Sequence, residues 1–216
     1  MEENRKLVVI VPGSRTRESR IAWLNAFLHK FYSHFGVQVE GEGWFPALEA
    51  VLAQLPAETI VFHWSGGISP FAIRKAAREL RRVLHQRADR EILLFTKSLG
   101  GAIGRIVARD TSLPIRRIVY VATPHSKFER SLPGGVQAIN VYSPADTYQQ
   151  LGNRVLFFGF GTSEVRGIAN MSLPGLGHSD FNHNIEVEYL GEKILLFDLY
   201  KRLLSDAMED FTRADT

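Results

Sequence analysis

The sequence predicts a three-layer α/β/α sandwich around a mostly parallel sheet. Short runs that are apolar at nearly every position, at residues 7–11, 59–64 and 92–95, have the character of strands buried on both faces. Segments with apolar residues at helical spacing alternate with them, and helices with one apolar face are what cover such a sheet. Each apolar run also ends in small or turn-forming residues, as in Pro12-Gly13, Ser65-Gly66-Gly67 and Ser98-Leu99-Gly100-Gly101.

In chain order, residues 7–11 form the first strand. Ile21, Leu24, Leu28, Phe31, Tyr32 and Phe35 then recur at helical spacing, with Gly36 as the stop, and residues 37–40 form a short strand. A helix over 47–55 is closed by Pro56. After the strand at 59–64, Ser69 caps a helix whose first residue is Pro70 and whose apolar face is Ile73, Ala76, Ala77, Leu80, Val83 and Leu84. The strand at 92–95 leads through Ser98 into a helix carrying Leu99, Ala102, Ile103, Ile106 and Val107. Strands are expected at 115–122, 136–142, 155–158 and 165–171, and a closing helix from about 192 to 208, before a polar tail. With no repeat, low-complexity segment or linker, residues 1–216 read as one domain.

Composition narrows the function. The 26 basic and 23 acidic residues leave a net charge of +3, and the basic ones are scattered, with only pairs such as Arg81-Arg82 and Arg116-Arg117. Nucleic-acid binding needs a basic stripe that is not there. The absence of cysteine removes disulfides, thiolate metal sites and cysteine nucleophiles together. The histidines lack metal-ligand spacing, and the glycines form neither a dinucleotide fingerprint nor a P-loop, so no metal or cofactor is expected. No apolar run approaches the ~20 residues of a membrane span, and the apolar stretch after the charged N-terminus is too short for a signal peptide. The expected setting is cytoplasmic.

Reactive groups in such sheets lie just beyond the carboxyl ends of the strands. Ser98, Asp146, His178 and Ser14 all follow strand runs. A serine in a sharp strand-to-helix turn is exposed on a strained backbone, and its hydroxyl needs a base, which in turn needs an anion. The order Ser98, Asp146, His178 is one of the known chain orders for that set. The amides of Leu99 and Ser14 are candidate donors to an oxyanion. Alternatives at this stage are Ser65 as nucleophile, His183 or His125 as base, and Asp146 as a helix cap in the capping-box stretch Asp146-Thr147-Tyr148-Gln149.

The run Thr96-Lys97-Ser98-Leu99-Gly100-Gly101 resembles the Gly-His-Ser-Leu-Gly-Gly elbow of α/β-hydrolases of the small lipase and esterase group. Residues 118–125, ending in Thr123-Pro124-His125, are similar to the strand and turn that follow the nucleophile helix in lipases, and Pro12-Gly13-Ser14 takes the place of the oxyanion turn. The resemblance spans residues 7 to about 204. It implies a minimal fold without a lid domain and a small-molecule acyl ester as substrate, with thioester or amide cleavage, or a non-catalytic binding role, as alternatives. With a short connection after Thr123, Phe128, Leu132, Leu173 and Leu176 are expected to shape an open acyl pocket. Two positions depart from the pattern. Thr96 stands where glycine is usual and crowds the turn, and Lys97 replaces histidine, bringing a charge beside the serine that favours an anionic group nearby.

Overall fold

A computed structural model describes residues 6–13, 44–128, 131–156 and 160–205. The expected helix at 21–36, the strand at 37–40 and Ser14 lie outside them. Among the described residues, six parallel strands form the central sheet: β1 (Lys6–Val11), β2 (Glu58–Val61), β3 (Glu91–Lys97), β4 (Ile115–Val121), β6 (Gln137–Tyr142) and β8 (Ala169–Ser172), in the order β2-β1-β3-β4-β6-β8. The two-residue strands β5 (His125–Ser126) and β7 (Gly161–Thr162) pair with each other outside it, and β9 (Glu186–Tyr189) and β10 (Glu192–Leu195) form a hairpin.

Alternation along the strands builds two cores. Val8, Ile10, Leu93, Phe95, Val119 and Val141 face α1 (Trp44–Leu52) and α5 (Leu196–Leu204). Leu7, Val9, Val11, Ile92, Leu94 and Ile118 face α2 (Pro70–His85) and α3 (Leu99–Ala108) on the other side. This is the expected three-layer sandwich. The start of α2 is as read from sequence, because Ser69 Oγ accepts a bond from the Ala72 amide at 3.1 Å and Pro70 needs no N–H there. Ser69→Ala is expected to cost about 1 kcal/mol in a urea melt, the usual worth of such a cap.

Three elements differ from expectation. Residues 155 and 156 belong to helix α4 (Thr147–Leu156), not a strand; a short apolar run looks the same in either state, and the Asp146 cap upstream decides it. Of the expected strand at 165–171 only residues 169–171 join the sheet, in β8. The Asn170 side chain bonds both the N–H and the C=O of Val165, and with Gly167 at φ +77° this curls the preceding residues into a turn. Residues 192–195 are strand β10 rather than helix. Leu190 and Gly191, at φ +52° and +78°, have the two positive φ values of a tight hairpin turn, so the closing helix starts only at Leu196.

The strand order places the functional end of the molecule. β2 and β3 flank β1 on opposite sides, so the chain reverses its direction of travel across the sheet between β1 and β3. A crevice opens at the carboxyl ends of strands where this happens. Pro12-Gly13 and Ser98 are the residues found there.

Candidate functional site

Ser98 joins β3 to α3 with φ 50° and ψ −126°, a strained conformation for a residue with a Cβ. Its amide still bonds the Val121 carbonyl at 2.9 Å, continuing the ladder with β4, while its carbonyl accepts from the Gly101 amide at 3.0 Å, opening the helix. The backbone is therefore held on both sides of the turn. Packing on the neighbouring chain keeps it tight. A Cβ on Gly100 would lie 2.2 Å from the Val11 carbonyl oxygen, and one on Gly13 would lie 3.0 Å from the Ser98 Cβ. The Leu99 amide, at the first residue of α3, has no partner within its own helix.

Thr96 is fully buried and does crowd this region, but the neighbouring helix makes room. Its Oγ1 donates to the Val119 carbonyl at 2.9 Å, and its methyl sits where Gly104 has no side chain; a Cβ there would be 2.6 Å from Thr96 Cγ2. The small residue usual on the strand is thus matched here by one on the helix. Lys97, on the opposite strand face, is only 5% exposed and its Nζ donates to Asn182 Oδ1. Its side chain turns inward rather than out toward an anionic ligand.

Asp146 and His178 are brought together. Asp146 has no exposed surface, and its two oxygens do different work: Oδ1 accepts the Gln149 amide at 2.8 Å, and Oδ2 lies 2.8 Å from His178 Nδ1. The helix cap and the imidazole partner, alternatives on sequence, coexist in one carboxylate. An ionised carboxylate only accepts, so Nδ1 carries the proton and Nε2 is left as the basic nitrogen. The ring of Tyr148 stacks on the imidazole with centroids 5.0 Å apart and planes 19° apart, and Gln149 Nε2 donates to the Thr123 carbonyl at 2.6 Å, tying α4 to the turn after β4.

The His178 side chain is 18% exposed, enough to leave an edge open. Burial holds its pKa below the ordinary histidine value; the hydrogen bond to Asp146 opposes that shift and the positive charge of Lys97 adds to it. The imidazole is thereby kept neutral at neutral pH, the form that accepts a proton.

The rival residues stand elsewhere. His125 is buried edge-on against Tyr120, and His183 is exposed, bonded through its amide to the Asp180 carbonyl. Ser65 lies five residues before the first turn of α2, off any helix terminus. The expected acyl pocket needs correction at two positions. Leu132 lines a hollow with Val136, Gln137 and Ile168 at the amino ends of β6 and β8, because the chain has already crossed the molecule to enter β6. Leu173 is 1% exposed and packs in the core, its amide extending the sheet to the Tyr142 carbonyl, while half-buried Leu176 packs against that same core. Phe128 is 74% exposed beyond β5 and pairs with Phe160 at 5.4 Å.

Sequence reasoning did not find Tyr148, Asn182, Gly104 or Trp64, whose indole donates to the Pro12 carbonyl at 2.9 Å and fixes the turn beside Ser98. Tyr148 lies within the capping-box stretch, but nothing local in the sequence gives any of the four its contact. Among the described residues no group of three or more His, Asp and Glu is placed to hold a metal, and no helix is long and apolar enough to cross a membrane.

No protein-family model and no curated protein matches the sequence. Solved structures do match in shape. An α/β-hydrolase enzyme from a lagoon-sediment metagenome of Mar Chica, Morocco, aligns at TM-score 0.57 and 9% identity over 96% of this chain and 92% of its own. A protein of Xanthomonas campestris assigned to the α/β-hydrolase superfamily aligns at 0.55 and 11% over 95% and 98%. Esterase 2 of Thermogutta terrifontis, in a form phosphoramylated by tabun, aligns at 0.53 and 12% over 97% and 84%. At such identities the likeness is one of fold, and the fold is that of the α/β-hydrolases.

Proposed function

We propose that this protein is a serine hydrolase that cleaves carboxylic esters through an acyl-enzyme on Ser98. The observation that carries the reading is the coincidence at one end of the sheet of a strained serine at a helix amino terminus and a buried aspartate–histidine pair. In the mechanism, His178 Nε2 takes the Ser98 hydroxyl proton as Oγ attacks the ester carbonyl carbon. The negative oxygen of the tetrahedral adduct accepts from the Leu99 amide and, in this reading, from that of Ser14, next in the chain after Gly13. The adduct collapses as the imidazolium returns its proton to the departing alcohol. Water, deprotonated by the same imidazole, then releases the carboxylic acid and regenerates the serine. Asp146 orients the ring and stabilises its charged form throughout.

An ester is favoured over an amide by the esterase among the structural neighbours. Phe128 and Phe160 offer an exposed apolar lip for an acyl chain or alcohol. Incubation with a fluorophosphonate probe, followed by peptide mass mapping, tests the assignment. One adduct on Ser98 is expected. An adduct on Ser65, or none in the folded protein, would overturn it.

A further inference from the structure

We propose that Lys97 and Asn182 form a positioning pair for His178, tying the loop that carries the imidazole to the strand that carries Ser98. The inference rests on the hydrolase reading above and assigns the lysine beside the nucleophile a task within it.

Strand alternation puts the two side chains before Ser98 on opposite faces. Thr96 faces α3, while Lys97 follows Leu93 and Phe95 on the face covered by α5 and by Phe181. On that face Phe95 packs against the Tyr200 ring with centroids 4.9 Å apart, and the Tyr200 hydroxyl donates to the Phe181 carbonyl at 3.2 Å. Asn182 is the next residue, on the short 3₁₀ turn Asp180–Asn182 that follows His178. The lysine stem thus runs over a packed floor to an acceptor whose position is already constrained.

The site has a physical need for such a link. The imidazole comes from the chain after β8, at the edge of the sheet, whereas Ser98 follows β3, with β4 and β6 between them. Asp146 and Tyr148 secure the ring to the start of α4. The Lys97 bond is made to the serine's own strand, so it bears directly on the distance between the base and the nucleophile. A bond from an ammonium is stronger than one between neutral groups.

The charge has a second effect. His178 is faced by the Asp146 carboxylate and the Tyr148 ring from the start of α4 and by the Lys97 cation from β3, with Asp180 on its own loop accepting the Gly177 amide. Asp146 favours the imidazolium and Lys97 disfavours it. The pair therefore tunes the base as well as placing it.

The test follows the His178 ring by NMR through a pH titration, alongside the pH profile of kcat/KM on an activated ester. It compares wild type with Lys97→Met, Lys97→Arg and Asn182→Ala. Removing the cation in Lys97→Met should raise the His178 pKa and move the acid limb of the profile to higher pH. Lys97→Arg, which keeps charge and donor, should restore both. Asn182→Ala keeps the charge but loses the tether: kcat should fall, by up to about 10²-fold for a misplacement of about 1 Å, with a smaller shift of the limb than in Lys97→Met. A purely structural lysine would lower the melting temperature and leave the titration where it was. The proposal is overturned if His178 titrates identically in Lys97→Met and wild type, or if kcat is unchanged in Asn182→Ala. If Lys97→Met does not fold, Lys97→Gln, a neutral donor to the same acceptor, gives the titration instead. Should no variant or wild type turn over ester, the hydrolase reading fails, and the NMR titration still decides the role of Lys97.

Discussion

Asp146→Asn is expected to lower kcat by about 10⁴-fold while leaving the protein folded, the loss seen when the anionic partner of a catalytic histidine is neutralised. The two oxygens of Asp146 separate its roles. Asparagine caps helices as well as aspartate does, so the bond to the Gln149 amide survives and α4 keeps its start. Across the 2.8 Å contact to His178 Nδ1, however, an amide no longer stabilises the imidazolium, and its NH₂ group favours the tautomer with Nε2 protonated. Asp146→Ala loses both bonds. It should match the asparagine variant in turnover and be less stable by a further ~1 kcal/mol, the cost of a lost cap. Ester turnover and urea melts of the two variants check this. Wild-type turnover in Asp146→Asn would remove Asp146 from the mechanism and leave it a helix cap.

Gly104→Ala is expected to destabilise the protein and disable Ser98, although alanine is the better helix former by about 1 kcal/mol. The new methyl would stand 2.6 Å from Thr96 Cγ2 and 3.0 Å from Ile118 Cδ1. Neither neighbour is the loose end of a long side chain. Thr96 is held by its bond to the Val119 carbonyl, and Ile118 is wholly buried in the sheet. Overpacking of this kind costs about 1–3 kcal/mol, and relieving it by moving α3 outward would open the turn that carries Ser98. Thr96→Ser removes the obstructing methyl and keeps the hydroxyl. The double variant should therefore recover much of the stability lost in Gly104→Ala, with the Ile118 contact left to absorb. A double-mutant cycle on melting free energies reads the coupling directly. Additive effects would mean that Thr96 and Gly104 are not a matched pair.

Much of the fold was legible because buried parallel strands announce themselves. Runs such as Leu7 to Val11 are apolar on both faces, and the helices between them carry a single apolar stripe. The caps at Ser69 and Asp146 were legible for the same local reason, since a cap is a bond between residues three apart. What failed was decided beyond the local chain. The stretch around Val155 has strand composition but continues a capped helix, and the hairpin after Glu186 turns on a Leu-Gly pair that carries no strong turn signal. Leu132 was assigned to the wrong end of the molecule because a connection that starts beside Thr123 has to cross the whole sheet to begin a parallel strand.

By itself the sequence determined that an apolar strand runs through Ser98 into a helix, and that Asp146 and His178 follow later strands in an order suited to a base and its anion. Periodicity and chain order are local properties, and they survive without coordinates. Only the tertiary structure decided that Asp146 serves as cap and imidazole partner at once and that Gly104 makes the space Thr96 fills. It also decided that Lys97 reaches a residue eighty-five positions away rather than facing outward. Those outcomes depend on which strands lie side by side and on fractions of an ångström between elements distant in the chain, quantities that no spacing of residue types encodes.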